Sequence, residues 1–185
     1  MGLAVGKDIV MSDTVLVTYA TRTGSTAGVA EAIGKTLSAQ GLNVVVRPMA
    51  EVDDITPYRA VIAGSPIQSQ AWLPEATRFM RTNQAALAKR PTAIFTVCMT
   101  VTLKGGQYRE AVMEWIAPIR VLVQPFSEGL FAGVLDIGQI PSFGDRLKFR
   151  ISTLTGVWKE GDHRDWNAIA AWAKDLVPQI QGAAV

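Results

Sequence analysis

The chain has 185 residues, 49% of them hydrophobic, which suits one substantial core and is short for two. Eighteen Lys and Arg against sixteen Asp and Glu give a formal net charge of +2, without the clustered basic density of a nucleic-acid binder, so no nucleic-acid partner is expected. A single cysteine, Cys98, and a single histidine, His163, exclude an intrachain disulfide, a CxxC zinc site and a two-histidine metal site.

In chain order, residues 1–12 precede the first strand-like run and read as an N-terminal extension. Their apolar core is too short for a secretory signal, and no apolar run approaches the roughly 18 residues that span a bilayer. A cytoplasmic protein in a reducing compartment is therefore expected. Residues 14–19, Thr-Val-Leu-Val-Thr-Tyr, read as a buried strand. A helical seam at Val29, Ala30, Ile33 and Leu37 follows and ends at Gly41. Residues 42–47 give a second strand and 58–64 a third. Leu73, Ala76, Phe79, Met80 and Leu87 then mark a helix with Pro74 in its first turn. Residues 92–98 are a fourth strand, after which Tyr108, Ala111, Val112, Trp115, Ile116 and Ile119 form another seam. Residues 121–133 read as strand material that Pro125 and Gly129 interrupt. The last helix carries Trp166, Ile169, Ala173, Leu176 and Ile180, with Asp165 as its N-cap.

Strands apolar on both faces and alternating with helices imply a parallel sheet covered on both sides, a doubly wound α/β fold with five strands. The alternation fails over residues 134–164, too long for an ordinary connection, so this segment reads as an insertion before the last helix. The whole of residues 1–185 is expected to form a single domain.

In a doubly wound sheet the first strand-to-helix loop, beyond the carboxyl ends of the strands, is the usual phosphate site. Here that loop is Thr21-Arg22-Thr23-Gly24-Ser25-Thr26. It offers hydroxyls, a glycine that lets backbone approach an anion, and the N–H groups of the helix that follows. Neither GxxxxGK[ST] nor GxGxxG is present, which disfavours a nucleoside triphosphate or a dinucleotide and leaves a phosphate monoester. The same residue types also make tight turns and helix caps. Two further loops fall at the same sheet edge: one from Ser65, Pro66 and Ile67 to Trp72, the other from Met99 and Thr100 to Gly105 and Gly106.

The strand ending in Tyr19-Ala-Thr-Arg-Thr-Gly-Ser-Thr26, the third ending in Val61-Ile-Ala-Gly-Ser65 and the fourth ending in Phe95-Thr-Val-Cys98 resemble the flavodoxin family. Within it, Asp145-Arg-Leu-Lys-Phe-Arg150 followed by Asp165-Trp166 is similar to the late insertion of the menaquinone-dependent protoporphyrinogen oxidases. The segment Thr155-Gly-Val-Trp-Lys-Glu-Gly-Asp-His-Arg164 departs from the more basic and aromatic stretch of that branch. The resemblance implies FMN as cofactor, its phosphate on residues 21–26 and its isoalloxazine between the loops at 65–72 and 98–107. It also implies an oxidoreductase in which hydride passes from a porphyrinogen to the flavin and electrons pass on to a quinone, a step in heme biosynthesis. The alternative in the same fold is an FMN electron carrier that docks on redox partner proteins and has no organic substrate of its own. Such carriers are typically strongly acidic, whereas this chain is slightly basic and carries an insertion a bare carrier does not need.

Trp72 reads either as a flavin-stacking aromatic or as a loop anchor. Arg22 reads as a partner of the anion or as a solvent-facing side chain. Cys98 reads as a small core residue rather than a nucleophile, and His163 as a loop residue with a lesser reading as a proton carrier. No acid or base is assigned to catalysis. Over residues 146–158, Leu147, Ile151, Leu154 and Trp158 form a stripe flanked by Arg146, Lys148 and Arg150. The simpler expectation is a surface helix whose stripe covers the sheet edge; the other is peripheral contact with an anionic membrane.

Overall fold

The protein was analysed as a computed structural model, which describes residues 12–139, 143–154 and 156–182. Apart from Ser12, the expected N-terminal extension lies outside the described residues.

The chain runs through β1 (Ser12–Tyr19), α1 (Ser25–Ala39), β2 (Asn43–Pro48), β3 (Tyr58–Gln68) and β4 (Ala71–Trp72). Next come α2 (Pro74–Thr82), α3 (Gln84–Leu87), β5 (Thr92–Val97), α4 (Gly106–Trp115), α5 (Ala117–Val123) and β6 (Ser127–Phe131). The last part holds β7 (Val134–Leu135), α6 (Phe143–Leu154), β8 (Gly161–Asp162) and α7 (Trp166–Gly182). Five strands form a parallel sheet in the order β2-β1-β3-β5-β6, with β4 folded back antiparallel on the end of β3. Strand order reverses between β1 and β3, so this fold has its ligand crevice at the carboxyl ends of those two strands.

The apolar runs are continuous because both sheet faces are covered. Val15 and Val17 of β1 point into one core with Val29, Ile33 and Leu37 of α1 and Ile169, Leu176 and Ile180 of α7. Leu16 points into the opposite core with Leu73, Met80, Ile116 and Ile119. Helix α1 stops where expected. Gly41 takes φ +85, and the N–H groups of Gly41 and Leu42 return to Ser38 O and Leu37 O at 3.0 and 3.3 Å, satisfying the last carbonyls of the helix.

Four segments depart from the sequence reading. Strand β3 continues past Gly64 to Gln68. Pro66 is tolerated there because the β1 ladder has already ended at Gly64, so its missing N–H falls on an open edge. The long seam expected from Tyr108 to Ile119 is split into α4 and α5, because Pro118 sits in the first turn of a new helix. Residues 121–123, expected as strand material, are the end of α5: helical spacing buries Ile119 and Val123, and Gln124 at φ +43 closes the turn before β6 starts at Ser127. Tertiary context overrides the β-propensity of the valines. The seam from Leu73 to Leu87 is likewise interrupted at Asn83, between α2 and α3.

Between β6 and α7 the chain leaves the sheet. Strands β7 and β8 pair antiparallel, Val134 with Asp162 and Leu135 with Gly161, and form a neck from which α6 projects. The inner side of α6 is Phe149, whose ring lies 5.5 Å from that of Trp158. The expectation that its stripe covers the sheet edge is not met. Leu147 and Ile151 are about half exposed, Phe143 80% and Leu154 87%, while Phe149, on the other side of the helix, faces Trp158.

Candidate functional site

The first loop is built so that an anion can complete it. Gly24 takes φ +81, a left-handed conformation that glycine adopts without a Cβ penalty. This turns the chain directly into α1 with no side chain capping the helix. The Gly24 N–H is held by Thr21 Oγ1 at 3.1 Å. The first helical bond is made by Gly28 N–H on Gly24 O, which leaves the N–H groups of Ser25, Thr26 and Ala27 at the open end of the helix, the positive end of its dipole. Thr23 and Gly24 are exposed beside them and Thr26 is buried. An uncapped helix start ringed by hydroxyls at the crevice of the sheet fits a phosphate monoester.

Arg22 is exposed and has a protein partner that neither expected role named. Its guanidinium grips the Glu75 carboxylate of α2 through both oxygens. Burial acts to raise the Glu75 carboxyl, but the Arg22 hydrogen bond, a backbone hydrogen bond and the charges of Arg22 and Arg78 outweigh it and hold it below its ordinary value. The arginine therefore pins the first loop to α2.

The second loop is a hairpin. Gln68 pairs with Ala71, and the two turn residues Ser69 and Gln70 both have positive φ, 50 and 63. Ser65, fully buried, accepts the Leu73 N–H at 3.0 Å and donates to Pro66 O at 2.9 Å, which fastens the hairpin to the start of α2. Trp72 is 3% exposed and donates its indole N–H to Thr96 Oγ1 at 2.9 Å. It is thus an anchor within the core beneath the hairpin, with its ring faces covered by protein. Pro66 and Ile67 remain half-buried at the hairpin's flank.

The third loop starts at Cys98, whose N–H bonds Phe131 O at 2.9 Å. Burial pushes the Cys98 thiol up, in keeping with a packed core residue. Met99 and Thr100 open a short 3-10 turn and are half-buried. Gly105, at φ +125, leads into Gly106 at the start of α4.

The sequence reading missed the fourth contributor to this edge. Val134 N–H donates to Ser25 Oγ at 2.9 Å, tying the root of the insertion to the first loop. Gly133 makes this possible, since a Cβ there would meet Ser25 Oγ and Val97 Cγ1 at 2.9 Å. On the same side, Arg164 pairs with Asp162 through Nε at 2.8 Å and a terminal nitrogen at 2.7 Å, and lies 4.3 Å from the centre of the Trp166 ring. Its other terminal nitrogen fills the space that a side chain at Gly28 of α1 would occupy. His163 is held at the neck by its N–H on Gly133 O and its ring Nε2 beside Lys159 O. The only signals in the sequence were Gly28 and Gly133 themselves, and a glycine does not say what approaches it.

A doubly wound parallel sheet whose first helix starts open at the point of strand reversal defines a class of α/β proteins that anchor a phosphorylated ligand. Residues 16–156 match the model of the flavodoxin domain, and the chain belongs to that family, whose cofactor is FMN. No protein of curated function matches the sequence. Among solved structures, a flavodoxin from the domain Archaea is similar at 17% identity and TM-score 0.53, over 91% of this chain and 99% of that one. An oxidoreductase from Corynebacterium diphtheriae is similar at 14% identity and TM-score 0.56, over 94% and 100%. Rubredoxin oxygen:oxidoreductase from Desulfovibrio gigas is similar at 14% identity and TM-score 0.53, over 93% of this chain and 38% of the longer enzyme. At these identities the likeness is one of fold.

Proposed function

We propose that this chain is an FMN-dependent oxidoreductase of the protoporphyrinogen-oxidase type, taking electrons from a porphyrinogen and delivering them to a quinone. The observation that carries the reading is the root of the insertion on the phosphate loop, Val134 N–H on Ser25 Oγ. That contact fixes an extra apolar element beside the cofactor edge, where a carrier that only docks on proteins needs none. The near-neutral charge supports it as well, since docking carriers of this fold rely on a strong acidic field.

FMN, when bound, supplies hydride and electron transfer. The chain's own residues bind and orient it. The backbone N–H groups of Ser25, Thr26 and Ala27 would hold the phosphate, with the hydroxyls of Thr21 and Thr23 around it and Gly24 leaving room. Ser65, Pro66 and Ile67 on one side, and Met99, Thr100, Gly105 and Gly106 on the other, would border the ring system, with Trp72 supporting the first wall from beneath. Arg22 serves by holding the loop to Glu75 rather than by touching the anion.

The test is a visible spectrum of the protein with FMN, followed anaerobically by protoporphyrinogen IX and then a menaquinone analogue. Bleaching of the flavin bands by the porphyrinogen and their return with the quinone is expected. Bands that ignore the porphyrinogen but respond to a chemical reductant would overturn the substrate and favour a second reading, an FMN electron carrier for redox proteins. That reading is supported by the free-standing flavodoxin whose whole length this chain resembles.

A further inference from the structure

Large apolar side chains exposed to water in a contiguous stripe mark an interaction surface more often than they mark chance. In α6, Phe143, Leu147, Ile151 and Leu154 recur at helical spacing and share one face. All four are exposed, from about half for Leu147 and Ile151 to 87% for Leu154, and Val157 just beyond the helix is half exposed. Among the described residues, Phe149 on the other side of the helix packs against Trp158, while the stripe side chains stay exposed. In sequence the helix carries Arg146, Lys148 and Arg150 against a single carboxylate, Asp145. Arg150, a neighbour of Leu147 and Leu154 on the helix surface by its spacing of three and four residues, is exposed.

We propose that α6 docks the protein on an anionic lipid surface, lying in the plane of the interface with Phe143, Leu147, Ile151 and Leu154 turned into the lipid and its basic flank on the headgroups. Three observations select this occupant. The excess of cations beside an apolar face matches the chemistry of interfacial helices, in which apolar burial and attraction to anionic headgroups act together. A second copy of the chain is disfavoured, because a two-fold axis sets the same patch against itself and brings one basic flank to another. Insertion across the bilayer is excluded for this element: twelve residues of helix are about 18 Å long, and among the described residues no helix is long and apolar enough to cross a membrane. The helix leaves the fold from the neck at Val134 and Asp162, at the sheet edge that carries the phosphate loop. Docking through it would therefore bring the cofactor end of the sheet toward the lipid. Delivery of electrons to a lipid-soluble quinone there rests on the function proposed above; the docking itself does not.

The experiment is co-sedimentation of the full chain with phosphatidylcholine vesicles, with and without about one-quarter phosphatidylglycerol, at low and high salt. Wild-type protein should bind the anionic vesicles, bind neutral ones weakly, and lose part of its affinity as salt rises. Leu147→Glu with Ile151→Glu should weaken binding about tenfold or more for each side chain removed from lipid. The exposed stripe contributes little to the core, so FMN titration and near-ultraviolet dichroism should be unchanged. If the acidic pair fails to fold, Phe143→Ser with Leu154→Ser is the second variant, with the same loss expected. Wild-type protein that stays free of anionic vesicles would overturn the proposal, as would a folded variant that binds as tightly as wild type. Elution as a dimer that Leu154→Glu dissociates, without vesicle binding, would assign the stripe to a second copy instead. Failure to oxidise porphyrinogen leaves vesicle binding standing, so the two proposals fail separately.

Discussion

Ser25 is the residue on which most of the site converges. Its hydroxyl accepts the Val134 N–H, and its backbone N–H belongs to the open helix start. Replacing it by valine removes the acceptor and leaves the half-buried Val134 N–H without this partner, while the backbone donors stay. The Ser25 hydroxyl proton is not used toward Val134 and would donate to the phosphate, so FMN affinity should fall about tenfold, as for loss of one charge-assisted hydrogen bond. Riboflavin affinity should change much less, and parallel titrations with the two flavins read the difference. Asp162 makes a second prediction. The Arg164 side-chain hydrogen bond holds its carboxyl below the ordinary value; burial opposes this, while a backbone hydrogen bond and the charges of Arg164 and His163 reinforce it. A carboxyl depressed in the folded state contributes stability above its unfolded pKa and loses it as pH falls through the folded one. The gap in melting temperature between wild type and Asp162→Asn should thus be present at neutral pH and close below the usual carboxylate range, in a pH series of thermal melts. At this scale the loop was legible as a tight turn into a helix at the end of the first strand, since Thr, Ser and Gly favour turns and helix starts. The commitments of Arg22 to Glu75 and of Trp72 to Thr96 were not, since both partners lie far away in sequence.

Among the elements, the β3–β4 hairpin stands out for its turn. A two-residue connection with both central φ angles positive suits Asn-Gly, and here it is Ser69-Gln70. Non-glycine residues in that conformation cost about 1 kcal/mol each. Ser69→Asn with Gln70→Gly should therefore raise stability by about 1 kcal/mol, seen as a higher urea midpoint at unchanged slope. The alternation of strands and helices was readable from β1 to β5, because parallel strands covered on both faces leave continuous apolar runs. Boundaries set by turn chemistry were not. The extension of β3 depends on the edge left open beside Pro66, and the valines of α5 take their conformation from a helix that Pro118 starts.

For the molecule as a whole, the sheet with its two cores and the insertion are separable pieces joined at a two-pair neck. Among the described residues, the cores contain no α6 side chain. Replacing residues 136–160 by a short turn between Leu135 and Gly161 should leave a folded protein that still binds FMN. Vesicle binding and reaction with porphyrinogen and quinone should be lost, which flavin titration, sedimentation and anaerobic spectra can check on one sample. Sequence pattern revealed that an insertion exists, because the alternation breaks. It did not reveal that the apolar stripe would point away from the protein, since amphipathic spacing looks the same whichever surface it meets. The bond from Val134 to Ser25 makes the two pieces thermodynamically linked. A ligand that orders Ser25 must also hold the Val134 amide, and whatever steadies the neck must strengthen the ligand by the same factor. Flavin loading should therefore slow solvent exchange of the Val134 amide proton, and lipid docking through α6 should in turn slow the release of the flavin.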